Sequence, residues 1–335
     1  MTLRTTDIAA ALVPVLRDAL ATPVVDVSDL ARYGDGHSGD TYSFVVTTDS
    51  SRRQMVLRLS PFGVAPKGPA DVGRQGRIMA SLSAAGAPAP RVIASSSEPA
   101  LAGRAFAVME LVEGRAWSTF REVAGDVATA QAAVAALKAI QAVPVTATSL
   151  SGDPYEEDPA FEVRRWGPLI DRSQEELHQP GMALATELTA RVGDAGAVTS
   201  PVVVHGDFHY GNLLFDDTSV VTVLDWEIAT VGHPVTDLAC LAVASMRRRY
   251  APDPNPTGSV EVSLPDLAEI YGVDPTRFAW HVAASCYKYA AILGYNLNLH
   301  RRGKKHDPIY ESLQHTACGL LDDGLELLRD GPDSL

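Results

Sequence analysis

Three polar side chains in one short stretch have the types and the order that phosphoryl transfer to a hydroxyl requires. Asp207 and Asn212 are five residues apart in the segment HGDFHYGN, and Asp225 follows Asn212 by thirteen residues in LDWE. A carboxylate beside an attacking hydroxyl can accept its proton, and we assign this role to Asp207. An amide oxygen and a second carboxylate suit a hard cation such as Mg²⁺, so we predict Asn212 and Asp225 as metal ligands.

The elements around these residues are predicted to bring them together. An apolar strand, residues 202–204, precedes Asp207, which therefore lies where a strand runs into a loop. Two short strands follow, and the hairpin they form should place Asn212 and Asp225 on one side. A single Asp or Asn in a loop is usually a turn former, so the prediction depends on the joint pattern.

Other polar residues in the same stretch receive a supporting role or suggest a different chemistry. We expect His205 and Asp237 to brace the loops by hydrogen bonds rather than to touch a substrate. His205, Asp207 and His209 occupy alternate positions, which also suits a metal-dependent hydrolase. This alternative is the weaker one, because no other His, Cys or Asp cluster has the usual ligand spacing.

Composition bounds the class of protein. A length of 335 residues, 46% of them hydrophobic, indicates two domains or lobes with ample core. The net charge of −13 argues against a nucleic-acid partner but permits nucleotide binding. The three scattered cysteines fit core thiols better than disulfides. Neither a signal peptide nor an apolar membrane span is evident, so we expect a soluble, cytoplasmic protein, with monomer and homodimer both open.

The order of predicted elements indicates an α+β fold. An amphipathic helix at the N-terminus is followed by a β-meander over residues 24–60, a helix over 71–85 and a strand over 105–110. The remainder reads as mostly helical. The segment 111–114 is the best candidate for a hinge. We therefore predict a bilobal protein with an antiparallel-sheet N-lobe, residues 1–112, and a mostly helical C-lobe, residues 113–335.

With these motifs the sequence resembles the aminoglycoside phosphotransferase and choline kinase-like family. The strings HGDFHYGN, LDWE and GHPVTDLA match the catalytic loop of that family, its metal-binding Asp loop and the segment that follows. Members have a protein-kinase-like fold and use ATP or GTP, so the resemblance implies a phosphotransferase with Mg²⁺ as cofactor. It also implies Asp207 as the base and Asn212 and Asp225 as the Mg²⁺ ligands.

The resemblance extends to the nucleotide-binding parts of the N-lobe. The segment GDGHSGD looks like the glycine-containing turn over the nucleotide phosphates, since glycines let the backbone approach closely. Members hold the purine by backbone groups of the hinge. The residues expected to contact nucleotide in the turn and the hinge are Gly36, His37, Ser38, Gly39, Glu110 and Val112.

Two departures from the family pattern concern the phosphate clamp. The third strand usually carries a lysine, and VLRL places Arg58 there. The partner helix usually supplies a glutamate, and Gln75 aligns with it. A guanidinium can still bind phosphate, although an Arg–Gln pair is not equivalent to Lys–Glu. These departures motivate a second hypothesis, a catalytically weak pseudokinase that binds nucleotide or metabolite.

The string VLRLSPFG also resembles a subgroup, the kinase-like domain fused to some acyl-CoA dehydrogenases. Members of this subgroup need not act on antibiotics. The acceptor is then an aminoglycoside-like molecule, a hydroxylated acyl thioester or another small alcohol. The choice between ATP and GTP stays open, because backbone groups bind the purine.

Overall fold

The computed structural model describes residues 4–33, 39–198, 200–246, 249–250, 260–304 and 307–334. Contacts between backbone positions divide the chain into two units. The first comprises Met1–Arg115, Ala139–Asp153 and Asn212–Thr230, and the second comprises Ala116–Lys138, Pro154–Gly211 and Val231–Leu335. The chain thus enters the first unit three times, and the single lobe boundary after residue 112 stays a prediction.

A five-stranded antiparallel sheet is the centre of the first unit, as predicted for the N-lobe. Its order is β1-β2-β3-β5-β4. These strands are β1 Asp26–Arg32, β2 Asp40–Thr47, β3 Arg52–Leu59, β4 Val92–Leu101 and β5 Arg104–Glu110. Helix α1, Thr5–Leu20, covers one face of the sheet because Ile8, Leu12 and Leu16 recur on one side and are all fully buried.

Helix α2, Val72–Ala84, lies directly against β4. At Gly73 a Cβ atom would stand 2.2 Å from the backbone nitrogen of Ser97, so only glycine permits this approach. Asp71 caps the helix by accepting the N–H of Arg74 at 2.8 Å. Close packing at Gly73 fixes the position of Gln75, which is on the same helix and is 1% exposed.

A short hairpin also belongs to the first unit. It consists of β8, Leu213–Phe215, and β9, Val220–Val223, with Leu213 paired to Val223. The two-residue strand β6, Arg115–Ala116, lies beside β8. The hairpin confirms the paired short strands that the sequence predicts after the catalytic loop.

The second unit is mainly helical. Two short strands, β7 Val202–Val204 and β10 Thr230–Gly232, pair with each other. The helices are α3 Trp117–Ala124, α4 Asp126–Gln141, which extends into the first unit, α5 Phe161–Ile170, α6 His178–Ala190, α7 Val235–Met246, α8 Leu264–Tyr271, α9 Pro275–Arg301, α10 Ile309–Ser312 and α11 Gln314–Asp330. Within the described ranges, no helix is long and apolar enough to cross a membrane.

Helix α9 organises the core of the second unit. It has 27 residues, and α5, α6, α7 and α11 pack around it. Asp274 caps its N-terminus by accepting the N–H of Arg277 at 2.9 Å, and Pro275 occupies the first turn, where no N–H is needed. The sheet-rich first unit and this helical core confirm the predicted α+β, protein-kinase-like class.

Two buried histidines pack in this core. The rings of His233 and His281 lie 4.1 Å apart, and His281 Nε2 lies 3.2 Å from the carbonyl oxygen of Ala195. Burial, and then the positive charge of Arg277, lowers the pKa of His233 to about 4. Burial also lowers the pKa of His281 well below its ordinary value, and His233 adds to this shift. Both rings are therefore neutral in the folded protein.

We predict that the free energy of unfolding falls as the pH is lowered from 7 through the region between 6.5 and 4. In that window the unfolded chain binds protons on these histidines that the folded chain does not bind. His281, which is almost fully buried, contributes to this loss because its pKa is lowered only in the folded chain. Urea denaturation at pH 7 and pH 5 measures the difference.

His281→Gln should reduce the pH dependence, because glutamine keeps the polar contact and does not titrate. His178→Gln is the matched control, since His178 is exposed at the start of α6. If the free energy of unfolding of His281→Gln depends on pH as steeply as that of wild type, the prediction is wrong.

Candidate active site

The loop after β7 carries the predicted base. Gly206 has φ of +84°, a conformation that favours glycine, and this turn directs the chain from His205 to Asp207. Asp237, in the first turn of α7, accepts the backbone N–H of His205 at 2.7 Å and that of Gly206 at 2.8 Å. The Asp207 N–H donates to His205 Nδ1 at 3.1 Å. The Asp237 carboxylate and the His205 imidazole thus fix the loop by accepting hydrogen bonds from its backbone.

Asp237 is fully buried, so its charge needs compensation. Burial raises the pKa of this carboxyl, and the charge of His205, the two N–H donors and Lys288 oppose the rise. Lys288 of α9 is itself buried, and it donates to the Gly206 carbonyl oxygen at 2.6 Å and to Cys240 Sγ at 2.9 Å. The Asp237 carboxylate therefore binds backbone N–H groups of this turn, and the Lys288 ammonium binds a backbone carbonyl oxygen of the same turn.

Asp207 is part-buried, and each of its carboxylate oxygens faces a different neighbour. The Tyr289 hydroxyl donates to Oδ1 at 2.7 Å, and His209 Nε2 lies 3.5 Å from Oδ2. Burial would raise the pKa of Asp207, but the hydrogen bond and charge of His209, the charge of Lys288 and the Tyr289 hydroxyl together bring it below its ordinary value. Asp207 is accordingly ionised at neutral pH and able to accept a hydrogen bond from a hydroxyl.

An apolar cavity adjoins this carboxylate within the second unit. Its volume is about 250 Å³, and Asp207, His209 and Tyr289 form its polar end. The remaining lining comes from α7, α9, the residue between α10 and α11, and α11, and consists of Cys240, Val243, Ala244, Ile292, Leu293, Leu313, Thr316 and Leu320. The cavity therefore offers an apolar space that ends at the predicted base.

The predicted metal ligands lie at the open end of the β8–β9 hairpin in the first unit. The Leu224 N–H donates to the Asn212 carbonyl oxygen at 2.8 Å. Asp225 is the next residue after Leu224, so it lies close to Asn212 along the backbone of the hairpin. Asp225 has φ of +65°, which is uncommon for a residue other than glycine. One amide oxygen and one carboxylate are hard oxygen donors, so these two residues fit a Mg²⁺ ion.

Arg58 forms an ion pair with a predicted metal ligand. It lies on β3 opposite Thr41 and Ala107, and its guanidinium donates to Asp225 Oδ1 at 2.5 Å. The Gln75 side chain, in contrast, donates to the Pro69 carbonyl oxygen at 2.9 Å. Within the described part of the chain, Gln75 Oε1 is buried without a hydrogen-bond partner. The Arg58 cation is thus placed beside the carboxylate of Asp225, the predicted metal ligand, rather than bonded to the Gln75 side chain.

Only part of the predicted nucleotide contacts can be located. Gly36, His37 and Ser38 lie outside the described residues. Gly39 has φ of +149°, and a Cβ there would stand 2.3 Å from the carbonyl oxygen of Leu59, so glycine is required.

The hinge residues are Glu110 and Val112. Glu110, the last residue of β5, forms exposed ion pairs with Arg53 and Arg91. Val112 is half-buried just beyond the strand. Their backbone contacts with a purine stay a prediction.

The hydrolase hypothesis gains no support from this geometry. His205 Nδ1 accepts the Asp207 N–H, and His209 Nδ1 accepts the Gly211 N–H at 3.1 Å. Among the residues that the structure describes, no group of three or more His, Cys, Asp or Glu side chains is arranged to hold a metal ion. The alternating residues His205, Asp207 and His209 therefore do not form a ligand set.

Tyr289 is the site residue that the sequence did not reveal. It is 82 positions from Asp207, and nothing in the local pattern of α9 distinguishes it from neighbouring Tyr287. A periodicity argument gives the face of a helix but not its tertiary partner. Lys288 was likewise detectable only as a charged residue inside an apolar helix.

Comparisons with known proteins agree with this fold. A model of the family described as "Phosphotransferase enzyme family" matches residues 29–272. The chain is 27% identical over 323 residues to acyl-CoA dehydrogenase family member 11 of Rattus norvegicus. That alignment covers 90% of this chain but only 40% of the rat protein, so the chain spans less than half of this relative.

Solved structures show the same fold at low identity. A provisionally named aminoglycoside phosphotransferase from Ralstonia eutropha JMP134 is similar with a TM-score of 0.72 and 22% identity, over 96% of this chain and 98% of that one. Choline kinase LicA from Streptococcus pneumoniae is similar with a TM-score of 0.57 and 14% identity, over 93% and 98%.

A third structure is a thermostable mutant of aminoglycoside phosphotransferase APH(4)-Ia in a ternary complex with AMP-PNP and hygromycin B. It is similar with a TM-score of 0.60 and 16% identity, over 89% of this chain and 95% of that one. These likenesses establish a kinase-like fold, and the family match covers well over half of the sequence. The chain therefore belongs to the phosphotransferase enzyme family that includes aminoglycoside phosphotransferases.

Proposed function

We propose that this protein transfers the γ-phosphoryl group of ATP or GTP to a hydroxyl of a small molecule. The observation that carries the proposal is the ionised carboxylate of Asp207 at the polar end of a cavity. A carboxylate there can orient an acceptor hydroxyl and receive its proton as the new bond to phosphorus forms. The complexes of APH(4)-Ia with AMP-PNP and with ADP support a nucleotide as the co-substrate.

The chain supplies each remaining part of such a reaction. Asn212 and Asp225 would hold Mg²⁺, which when bound neutralises charge on the nucleotide phosphates. Arg58, now beside Asp225, is a fixed cation that can bind phosphate in place of the usual lysine. Gly39 permits close backbone approach at the end of the predicted phosphate turn.

The pseudokinase hypothesis is the second candidate, and the Arg58 and Gln75 departures are its motive. The joint presence of Asp207, Asn212 and Asp225 counts against it, because a protein that only binds nucleotide has no need of all three. Conservation of charge at the clamp also counts against it, since Arg58 retains a cation where the family has one. We therefore prefer the catalytic reading.

We predict that Asp207→Ala lowers phosphoryl transfer about 10²–10⁴-fold, the usual contribution of general base catalysis. Nucleotide affinity should change little, because Asp207 is proposed to contact the acceptor hydroxyl rather than the phosphates. Coupled ADP release in the presence of acceptor measures transfer, and calorimetry measures nucleotide binding.

Asp216→Ala is the matched control, because Asp216 is an exposed aspartate whose carboxylate caps a turn at Thr218 and Ser219. It should leave both quantities unchanged. Wild-type transfer in Asp207→Ala would contradict the assignment of the base.

The cavity supports an acceptor alcohol with an apolar segment. Its lining beyond Asp207 is mainly aliphatic, whereas a polycation such as an aminoglycoside needs an acidic surface. Each buried methylene contributes about 0.8 kcal/mol to binding, so chain length should affect affinity strongly. The similarity to acyl-CoA dehydrogenase family member 11 adds a chemical class, a hydroxylated acyl thioester. We propose this class ahead of aminoglycosides.

We predict that Ala244→Leu raises the KM for a long-chain hydroxyacyl acceptor about tenfold, which is the loss of roughly two buried methylenes. Ala244 lines the cavity, so the larger side chain takes up space that the acceptor would fill. Ala183→Leu is the control, because Ala183 is exposed on α6. Steady-state kinetics with acyl chains of increasing length gives the measurement. If the protein phosphorylates hygromycin B but none of the hydroxyacyl acceptors, the proposed acceptor class is wrong.

A further inference from the structure

We propose that Tyr289 is a positioning residue that fixes the carboxylate of Asp207 for phosphoryl transfer. This inference depends on the proposed function, since it concerns the same base. The Tyr289 hydroxyl donates to Asp207 Oδ1 at 2.7 Å, and both side chains line the cavity. A hydrogen bond of this length to a charged oxygen is a strong one.

The geometry distinguishes the two oxygens of Asp207. Oδ1 accepts the Tyr289 hydroxyl at 2.7 Å, and Oδ2 lies 3.5 Å from His209 Nε2. Rotation of the carboxylate would break the bond to Tyr289. Tyr289 therefore fixes the orientation of the Asp207 carboxylate at the cavity that both side chains line.

Helix α9 holds this part of the loop with two consecutive residues. Lys288 donates to the Gly206 carbonyl oxygen at 2.6 Å, and Tyr289 donates to the side chain of the next residue, Asp207. The Lys288 ammonium also lies 4.4 Å from the centre of the Tyr289 ring, a distance at which the cation attracts the ring face. Backbone and side chain of the predicted base are thus fixed by one rigid element.

Tyr289 keeps its proton at neutral pH and is therefore a hydrogen-bond donor there. Burial and the adjacent Asp207 carboxylate raise the pKa of this phenol well above its ordinary value. The side chain therefore cannot itself take the proton of an acceptor hydroxyl in place of Asp207. Its effect on catalysis passes through the carboxylate.

Tyr289→Phe tests the inference because it removes only the hydroxyl. We expect kcat for transfer to fall about tenfold, the effect of losing one hydrogen bond to a charged group. The KM for nucleotide should stay unchanged. Tyr287→Phe is the matched control on the same helix and should leave kcat as in wild type.

A double-mutant cycle with Asp207→Ala shows whether Tyr289 acts through the base. In the Asp207→Ala background, Tyr289→Phe should cause no further loss of transfer. A tenfold loss in that background, or wild-type kcat in Tyr289→Phe alone, would overturn the inference. If wild type transfers no phosphoryl group to any acceptor, the proposed function fails. If Asp207→Ala transfers as fast as wild type, the assignment of the base fails, and this inference fails with it.

Discussion

The pair of hydrogen bonds from the His205 and Gly206 backbone to the buried Asp237 carboxylate is the constraint on which the predicted catalytic loop depends. Two adjacent N–H groups that point at one carboxylate force the chain to turn, and the left-handed φ of Gly206 makes that turn possible. Because an unpaired buried carboxylate is costly, the loop and the first turn of α7 stabilise each other. The Lys288 ammonium then binds the carbonyl oxygen of Gly206. The direction of the Asp207 side chain follows from this arrangement.

In the first unit the hairpin and β3 create a corresponding polar arrangement. Register fixes Leu213 opposite Val223 and so brings Asn212 and Asp225 to one end of the hairpin. Arg58, which is largely buried on β3, neutralises Asp225 in the described structure. An arginine at this position gives the chain a permanent cation, because a guanidinium does not lose its proton in proteins. The departure from the family lysine thus preserves charge while changing which group that charge contacts.

Local patterns predicted much of the fold and the identity of the central residues. Apolar residues recur every four positions in α1, and β-branched residues are frequent in the strands between residues 42 and 59. Both patterns can be read from the sequence, and the apolar residues that form them are buried as expected. Strand β4 was missed because its serine-rich sequence, VIASSSEPAL, lacks the usual alternation. The contacts of Arg58 with Asp225 and of Tyr289 with Asp207 join residues 167 and 82 positions apart. Such partners are set by how helices and strands pack, which one sequence read locally does not contain.

The most direct test of the central claim is a thermal-shift titration of wild type and Asp225→Ala with ATP and GTP, each with and without Mg²⁺. A ligand that binds only the folded protein raises the melting temperature by mass action. A phosphotransferase with Asn212 and Asp225 as metal ligands should show a rise with at least one nucleotide that requires Mg²⁺ and is lost in Asp225→Ala. No rise with either nucleotide, or an equal rise in Asp225→Ala, would contradict the account.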